Sequence, residues 1–332
     1  MNISIKSPNL NYDLQIENKL TIITGLSASG KTTLINLINE YNSENNIAEI
    51  YSKLPLYIIN SNVWENPELY RGEAYYFIDE DMEFLKTPTF FKNILNSNGY
   101  FIVVGRDPEI FINYSIDSIY ELKLDNGIHK MVSKYNIKEL AYKYNYDSIK
   151  EVLNEDSGSG FEFYKYIIPL DHISSRGNMG ILNLLNKNDS KLVILDRSGY
   201  GKWINTLINS IESNNYNTIL DLQNSFEYVI LKSGVLGNNL KKFNLMESRL
   251  KLNNINLEKS YFEILIDLAS KNKRTRYTKK HINPWYLEDT AINKIMDAIQ
   301  EDTGVNLNNF KNSDDINNVN DIDNTNNMFN WD

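Results

Sequence analysis

The run Gly25-Leu26-Ser27-Ala28-Ser29-Gly30-Lys31-Thr32 sets two glycines, a lysine and a hydroxyl at the spacing G-x-x-x-x-G-K-[ST]. Those residue types at that spacing suit a polyphosphate. The backbone amides from Leu26 through Ser27, Ala28, Ser29 and Gly30 to Lys31 curl around β- and γ-phosphates. Lys31 adds a mobile positive charge, the Thr32 hydroxyl ligates Mg²⁺, and Thr33 opens a helix whose N-terminus faces the anion. A second set of chemical groups comes at Tyr75-Tyr76-Phe77-Ile78-Asp79-Glu80, where large apolar residues end in two carboxylates. Asp79 there holds Mg²⁺ through water, and Glu80 orients or deprotonates the attacking water. The bland alternatives are a Gly-Ser turn and a solvated acidic turn, and the flanking elements weigh against both.

Those flanks read as the strand, loop and helix the motif needs. Residues 20–23 form an apolar strand, and 33–41 form a helix with Leu34, Leu37 and Ile38 on one face. Residues 3–16 alternate as a hairpin, 54–59 make a short buried strand, and 75–78 make a strand whose burial in a parallel sheet puts Asp79 at its C-terminal edge. A further strand, 100–104, ends in Gly105-Arg106-Asp107-Pro108. Residues 119–124 and 128–132 flank Asp125-Asn126-Gly127, and Asn-Gly supplies the positive φ of a tight hairpin.

Beyond a polar link at 134–147 a second alternation begins. Strands are expected at 149–154, 171–175, 191–195 and 218–222, with helices at 161–168, 181–186, 202–211 and 225–232, which together make a compact parallel sheet. Glu155 and Asp156 end the first of these strands, Asp196 ends the third, and Gly177-Asn178-Met179-Gly180 makes a glycine-rich turn. The turn Gly199-Tyr200-Gly201-Lys202 lacks the spacing of a second phosphate loop and opens a helix. From 236 the pattern is helical, at 240–252, 260–270 and 287–301. Lys271, Lys273, Arg274, Arg276, Lys279 and Lys280 crowd the segment 271–281, a candidate contact for nucleic-acid phosphates, and Pro284-Trp285-Tyr286 anchors that segment to a core. The Asn- and Asp-rich tail, 305–332, reads as disordered.

At 332 residues and without cysteine, the chain has room for two domains and no means of disulfide or thiolate chemistry. A net charge of −9 argues against a globally basic nucleic-acid binder while leaving room for a local basic face. No run reaches the ~18 apolar residues of a membrane span and no signal-peptide pattern opens the chain, so a cytoplasmic protein without membrane contact is expected. His129, His172 and His281 lie far apart with no ligand spacing and read as structural.

The order of phosphate loop, acidic strand end, switch strand, Asp-Pro-Glu and Asp-Asn-Gly turn resembles the two ends of an ATP-binding-cassette type ATPase, over about 1–132. In that family a histidine after the switch strand senses the γ-phosphate, and Arg106 stands here at that position, a fixed cation that cannot shuttle a proton. The family's glutamine is missing, since no Gln lies between Gln15 and Gln223. The stretch 33–78 also leaves no room for its helical subdomain and Ser-Gly-Gly signature, which takes away the basis for its usual ATP-sandwich dimer.

Residues 146–235 resemble a Toprim domain, whose acidic strand ends and glycine-rich turn match Glu155, 177–180 and Asp196. That likeness implies a metal site for cutting or transferring a phosphodiester, with Ser198 in place of the second aspartate and Asp156 or Glu227 as substitutes. The pairing as a whole resembles the overcoming-lysogenization-defect nucleases and related bacterial defence proteins. It implies an α/β chain with a P-loop NTPase domain at 1–133, a small Toprim-like parallel-sheet domain at 146–235 and a helical region at 236–304. The expected cofactors are ATP and Mg²⁺, the latter at Thr32, Asp79, Glu155 and Asp196. A nucleic acid is the expected target, and a homo-oligomer is compatible with the pattern. A nucleotide-gated regulator or scaffold with an inert second domain is the alternative reading. A kinase ranks behind both for want of an arginine-rich lid.

Overall fold

The computed structural model describes residues 1–41, 43, 48–141, 146–185, 190–237 and 239–310. Alternating apolar residues open the chain: Ile3 and Ile5 of β1 (Asn2–Lys6) and Tyr12 and Leu14 of β2 (Asn11–Gln15) turn inward, and the two strands pair antiparallel. Every residue of β3 (Leu20–Thr24) is buried, as a strand covered on both faces must be. The phosphate-binding loop leads from it into α1 (Lys31–Tyr41), which buries Leu34, Leu37 and Ile38. Next come β4 (Glu49–Ser52), β5 (Leu56–Ile58), α2 (Ser61–Trp64), β6 (Tyr75–Asp79), α3 (Pro88–Asn96), β7 (Tyr100–Val104), β8 (Ile119–Asp125) and β9 (Ile128–Ser133). These strands form one sheet ordered β4-β1-β2-β9-β8-β3-β7-β6-β5. Its centre, from β8 to β5, is parallel, so the C-terminal ends of β3, β7 and β6 lie side by side. The β8/β9 hairpin turns at Asn126 (φ 49°) and Gly127 (φ 80°), as its Asn-Gly pair requires.

The second half holds α4 (Ile137–Ala141), β10 (Glu151–Asn154), α5 (Ser159–Ile167), β11 (Asp171–Ser174), α6 (Asn178–Leu184), β12 (Lys191–Asp196), α7 (Ile204–Asn214), β13 (Thr218–Gln223) and α8 (Phe226–Lys232). Its four strands are all parallel, in the order β11-β10-β12-β13. Three longer helices complete the described chain: α9 (Asn239–Asn253), α10 (Leu257–Ser270) and α11 (Asp289–Thr303). The molecule is therefore mixed α/β, with one large curled sheet and one smaller parallel sheet flanked by helices.

Where the apolar side chains go decides how these parts join. One face of the large sheet closes over α1 through Ile3, Ile5, Ile23, Leu34 and Ile38. The opposite face is continuous with the small sheet: Ile22, Ile78, Phe101 and Val103 share a core with Leu153, Val193, Leu195 and Leu220, bridged by Ile204 and Leu207 of α7. No gap in the core thus marks the link at 134–147, whose residues 142–145 lie outside the described ones. The other face of the small sheet is covered by α5 and α8 and then by α10 and α11, through Phe163, Val229, Leu265 and Ile295. The helices expected as a separate region at 236–304 are therefore a further layer on the second sheet. Tyr286 is fully buried and donates to the Thr275 carbonyl, so the Pro284-Trp285-Tyr286 anchor is realised. The boundary at 305 moves: Val305, Leu307 and Phe310 are buried, because each finds an apolar slot on this layer, and the remainder of the tail, 311–332, lies outside the described residues. Among the described residues, no helix is long and apolar enough to cross a membrane.

Candidate functional site

Left-handed backbone marks the loop between β3 and α1. Gly25, Ala28 and Gly30 have φ of 153°, 63° and 91°. Their positive φ favours glycine at 25 and 30, and a Cβ would also be crowded, 2.7 Å from Ser29 Oγ at Gly25 and 3.0 Å from Tyr12 Oη at Gly30. Ala28 adopts this region with a side chain, a local strain of the kind stored at functional sites. The loop has a fixed floor. Tyr12 Oη donates to the Gly30 carbonyl at 2.9 Å and its ring stacks on buried His129, 5.0 Å between centroids. Burial, opposed by the Thr33 hydroxyl, pushes the Tyr12 phenol up to about 12, so the donor keeps its proton at neutral pH.

Lys31 folds back over this loop and donates to the Gly25 carbonyl (2.6 Å), the Leu26 carbonyl (2.9 Å) and Ser29 Oγ (3.0 Å). Burial and then the Arg106 guanidinium lower its pKa, with Glu80 opposing them. Arg106, at the end of β7, reaches Ser27 Oγ at 2.6 Å. The backbone amides of Arg106 and Asp107 donate to one oxygen of Glu80, at 2.6 and 3.1 Å. That approach is open because residue 105 is glycine: a Cβ there would lie 2.3 Å from the Glu80 side chain. Asp79 aligns with Val104, and Val104 with Ile23. Asp79 therefore sits two strand spacings, roughly 10 Å, from the end of β3, a span that a water-ligated cation fills. Thr32 is exposed on the first turn of α1. A cleft of about 300 Å³ is lined by Gly25, Leu26, Ser27, Arg106, Glu121 and Lys134.

The small sheet gathers the second group. Glu155 comes directly after β10 and Asp196 ends β12, the adjacent strand, and the Asp196 amide donates to Glu155 Oε2 at 3.1 Å. Gln223 of β13 donates to Asp196 Oδ1 at 3.1 Å and is itself held by Tyr164 Oη at 2.9 Å. Burial, then the neighbouring Glu258 and Asp156, push the Glu155 carboxyl up to about 7, against the Asp196 amide and Lys279. Burial, then Glu155 and Glu227, hold Asp196 well above the usual carboxylate range. Glu227, one of the two substitutes expected, lies buried within reach of this field and accepts from Tyr277 Oη at 3.0 Å. Asp156, the other, accepts from the amides of Ser157 and Gly158, which fixes it as the cap of a turn. Ser198 is buried and its Oγ has no hydrogen-bond partner among the described residues, so the position where a second aspartate was expected holds a neutral hydroxyl.

All six cations of the basic segment are exposed, and only Thr275 and Tyr277 within it are buried. Thr275 and Tyr277 anchor the segment, whereas Lys279 stays largely exposed at the rim of the acidic group and pairs there with Glu258. Burial lowers the Lys279 pKa, but Glu258, Glu227 and Asp196 outweigh it and hold the ammonium above its ordinary value. The Lys279 carbonyl accepts from the Ser159 amide at 3.0 Å, over Gly158, where a Cβ would lie 2.1 Å from that oxygen. Arg274 pairs with Glu288 and Lys271 with Asp267, while Lys273, Arg276 and Lys280 remain exposed. Composition alone does not set Lys279 and Tyr277 apart from their neighbours, nor does it mark Glu258. For Tyr277 the available signal is the alternation of 275 and 277 inside a charged run.

Among the described residues no group of three or more His, Asp or Glu side chains is set to hold a metal ion. A Mg²⁺ at either acidic pair would complete its shell with water and phosphate oxygens, which suits an ion that dehydrates reluctantly. His129 stacks on Tyr12, His172 bonds the Ile168 carbonyl and His281 bonds Glu162, all structural settings. Comparison with protein-family models and with curated proteins gave no match.

The acidic group has a consequence for pH. The folded pKa of Glu155 lies above the ordinary 4.5, so between 4.5 and about 7 the folded chain binds more protons at Glu155 than the unfolded chain does. Stability from this site is present at low pH and falls as pH rises through that window. The expected result is a melting temperature that declines from about pH 5 to about pH 8 and declines less in Glu155→Gln. Part of the slope survives in that variant, because burial also pushes fully buried Asp221 up to about 7. An unchanged slope in Glu155→Gln would contradict this assignment.

Proposed function

We propose that the chain binds Mg·ATP in the loop at 25–33 and hydrolyses it slowly, and that this nucleotide site governs an acidic site at Glu155 and Asp196 that acts on or binds nucleic acid. In this reading the large sheet is a pared-down P-loop NTPase domain and the small one a Toprim-like domain. The observation that carries it is the loop itself: positive-φ backbone at Gly25, Ala28 and Gly30, with Lys31 parked on the loop carbonyls and Arg106 on Ser27. Among the described residues each of those cations hydrogen-bonds neutral oxygens there, and a triphosphate offers both a charged partner. In this reading Glu80, one oxygen of which accepts from the Arg106 and Asp107 amides, acts as the base that orients water. Arg106 contacts the terminal phosphate as a permanent cation. Mg²⁺, when held by Thr32 and Asp79 or by Glu155 and Asp196, supplies neutralisation of phosphate charge. At the second site Gln223 fixes the Asp196 carboxylate, Lys279 supplies a fixed positive charge, and exposed Lys273, Arg276 and Lys280 are the candidates for backbone phosphates.

The second reading, a nucleotide-gated regulator whose acidic site does no chemistry, is favoured by Ser198 and by Lys279, which already offsets the carboxylates. Turnover of ATP by the purified chain, with and without Mg²⁺, DNA and RNA, separates the two. Glu80→Gln should keep ATP binding while turnover falls by about 10²–10⁴-fold. Metal-dependent cleavage lost in Glu155→Ala supports the nuclease. ATP turnover without any cleavage supports the regulator, and absence of both activities and of ATP binding removes the proposal.

A further inference from the structure

We infer that the segment from Arg106 to Asp117 carries nucleotide occupancy to the acidic site through Arg197. The inference rests on the nucleotide-binding reading of the loop at 25–33. At its first end the segment touches the loop, through Arg106 to Ser27 Oγ, and the base, through the amides of Arg106 and Asp107 to Glu80. At its far end it is sealed onto the turn after β12. The Gly201 amide donates to the Tyr114 carbonyl at 2.8 Å, and the Ile116 amide donates to the Arg197 carbonyl at 2.9 Å. Gly201 has no room for a side chain, since a Cβ would lie 2.4 Å from the Tyr114 ring. Arg197 Nε donates to both oxygens of Asp117, at 3.1 and 3.2 Å.

Arg197 is the residue after Asp196, and its position is fixed from several sides. Its amide donates to the Gln223 carbonyl at 2.7 Å, and Gln223 in turn holds Asp196. Its guanidinium forks onto Asp302 of α11 at 2.8 Å on both arms and reaches the Leu222 carbonyl at 2.7 Å. Asp302 also accepts from the Asn224 amide at 2.8 Å. Burial alone would lower the Arg197 pKa, but Asp117 and Asp302 hold it above its ordinary range, so the charge is permanent.

Between its two ends the segment is not slack. Ile110, Ile112, Tyr114 and Ile116 are buried in the core shared by both sheets, while Glu109, Phe111 and Asn113 face solvent. A strut packed at every second residue moves as a unit, because close-packed interiors do not deform gradually. Drawing Arg106 from Ser27 to a terminal phosphate therefore displaces the strut, and the Asp117–Arg197 pair passes that displacement to Asp196 and its distance from Glu155. Coupling of this kind changes affinity at the distal site by about 5- to 150-fold, and reciprocally.

Hydrogen exchange on the full chain tests it, with and without saturating Mg²⁺ and a non-hydrolysable ATP analogue. The expected result is altered exchange at 25–33 together with 114–118 and 196–201. Asp117→Asn should keep the change at 25–33 and lose the distal one. Arg106→Gln, at an exposed position outside the core, should weaken nucleotide binding and lose the distal change even at a nucleotide concentration that saturates 25–33. Altered exchange confined to 25–33 in the wild-type chain, or a distal change that persists in both variants, would overturn the coupling and leave nucleotide binding standing. No change at 25–33 would overturn the nucleotide reading and the coupling with it.

Discussion

Replacing Lys31 with alanine is expected to lower kcat/KM for ATP by about 10²-fold or more. The ammonium lies on the Gly25 and Leu26 carbonyls and on Ser29 Oγ, all uncharged acceptors, so its transfer to phosphate oxygens exchanges weak partners for strong ones. Its pKa is lowered by burial and by Arg106, which raises the electrostatic gain on meeting an anion. Besides the Lys31 bonds, the positive φ of Gly25 and Gly30 and the Tyr12 bond to the Gly30 carbonyl hold the loop backbone. Lys31→Ala should therefore melt close to wild type while losing turnover. A variant that retained wild-type kinetics would remove the lysine from the reaction.

Arg197→Ala should destabilise the fold by about 3–5 kcal/mol, the cost of leaving buried charge without its partner. Two carboxylates, Asp117 and Asp302, lose their cation together, and the Leu222 carbonyl loses a donor. For a chain of this size that corresponds to a fall in Tm on the order of 10 °C. Because the three groups act as one network, adding Asp302→Asn to Arg197→Ala should cost less than the sum of the single changes. Additive losses, or a Tm within a degree or two of wild type for Arg197→Ala, would show that the network contributes little.

The strand, loop and helix around the first candidate site were readable because the motif's fixed positions fall within eight consecutive letters, with an apolar strand before them and a helix-spaced run after. The Asn126-Gly127 turn and the all-parallel second sheet were readable for the same reason: local backbone demands select residue types. What stayed hidden is non-local. Arg197 looked like one more turn residue after Asp196, yet its partners are eighty and more positions away, at Asp117 and Asp302. Lys279 belonged by composition to a solvated basic run, and only the packing of Tyr277 and the bare Gly158 carry it to the rim of the acidic group. The core that fuses the two sheets was likewise unreadable, since Ile110, Ile112 and Tyr114 sit in a stretch without a regular element. The pairing of Glu155 with Asp196 could be expected from their places at strand ends, whereas Gln223 and Tyr164, which fix Asp196, come from a third strand and a helix.

Calorimetric titration of Mg·ATP into the purified chain, run beside Lys31→Ala, tests nucleotide binding most directly. Saturable heat near one nucleotide per chain, lost or strongly weakened in the variant, is the predicted outcome. No heat of association in the wild-type chain, or the same isotherm in both proteins, would contradict it.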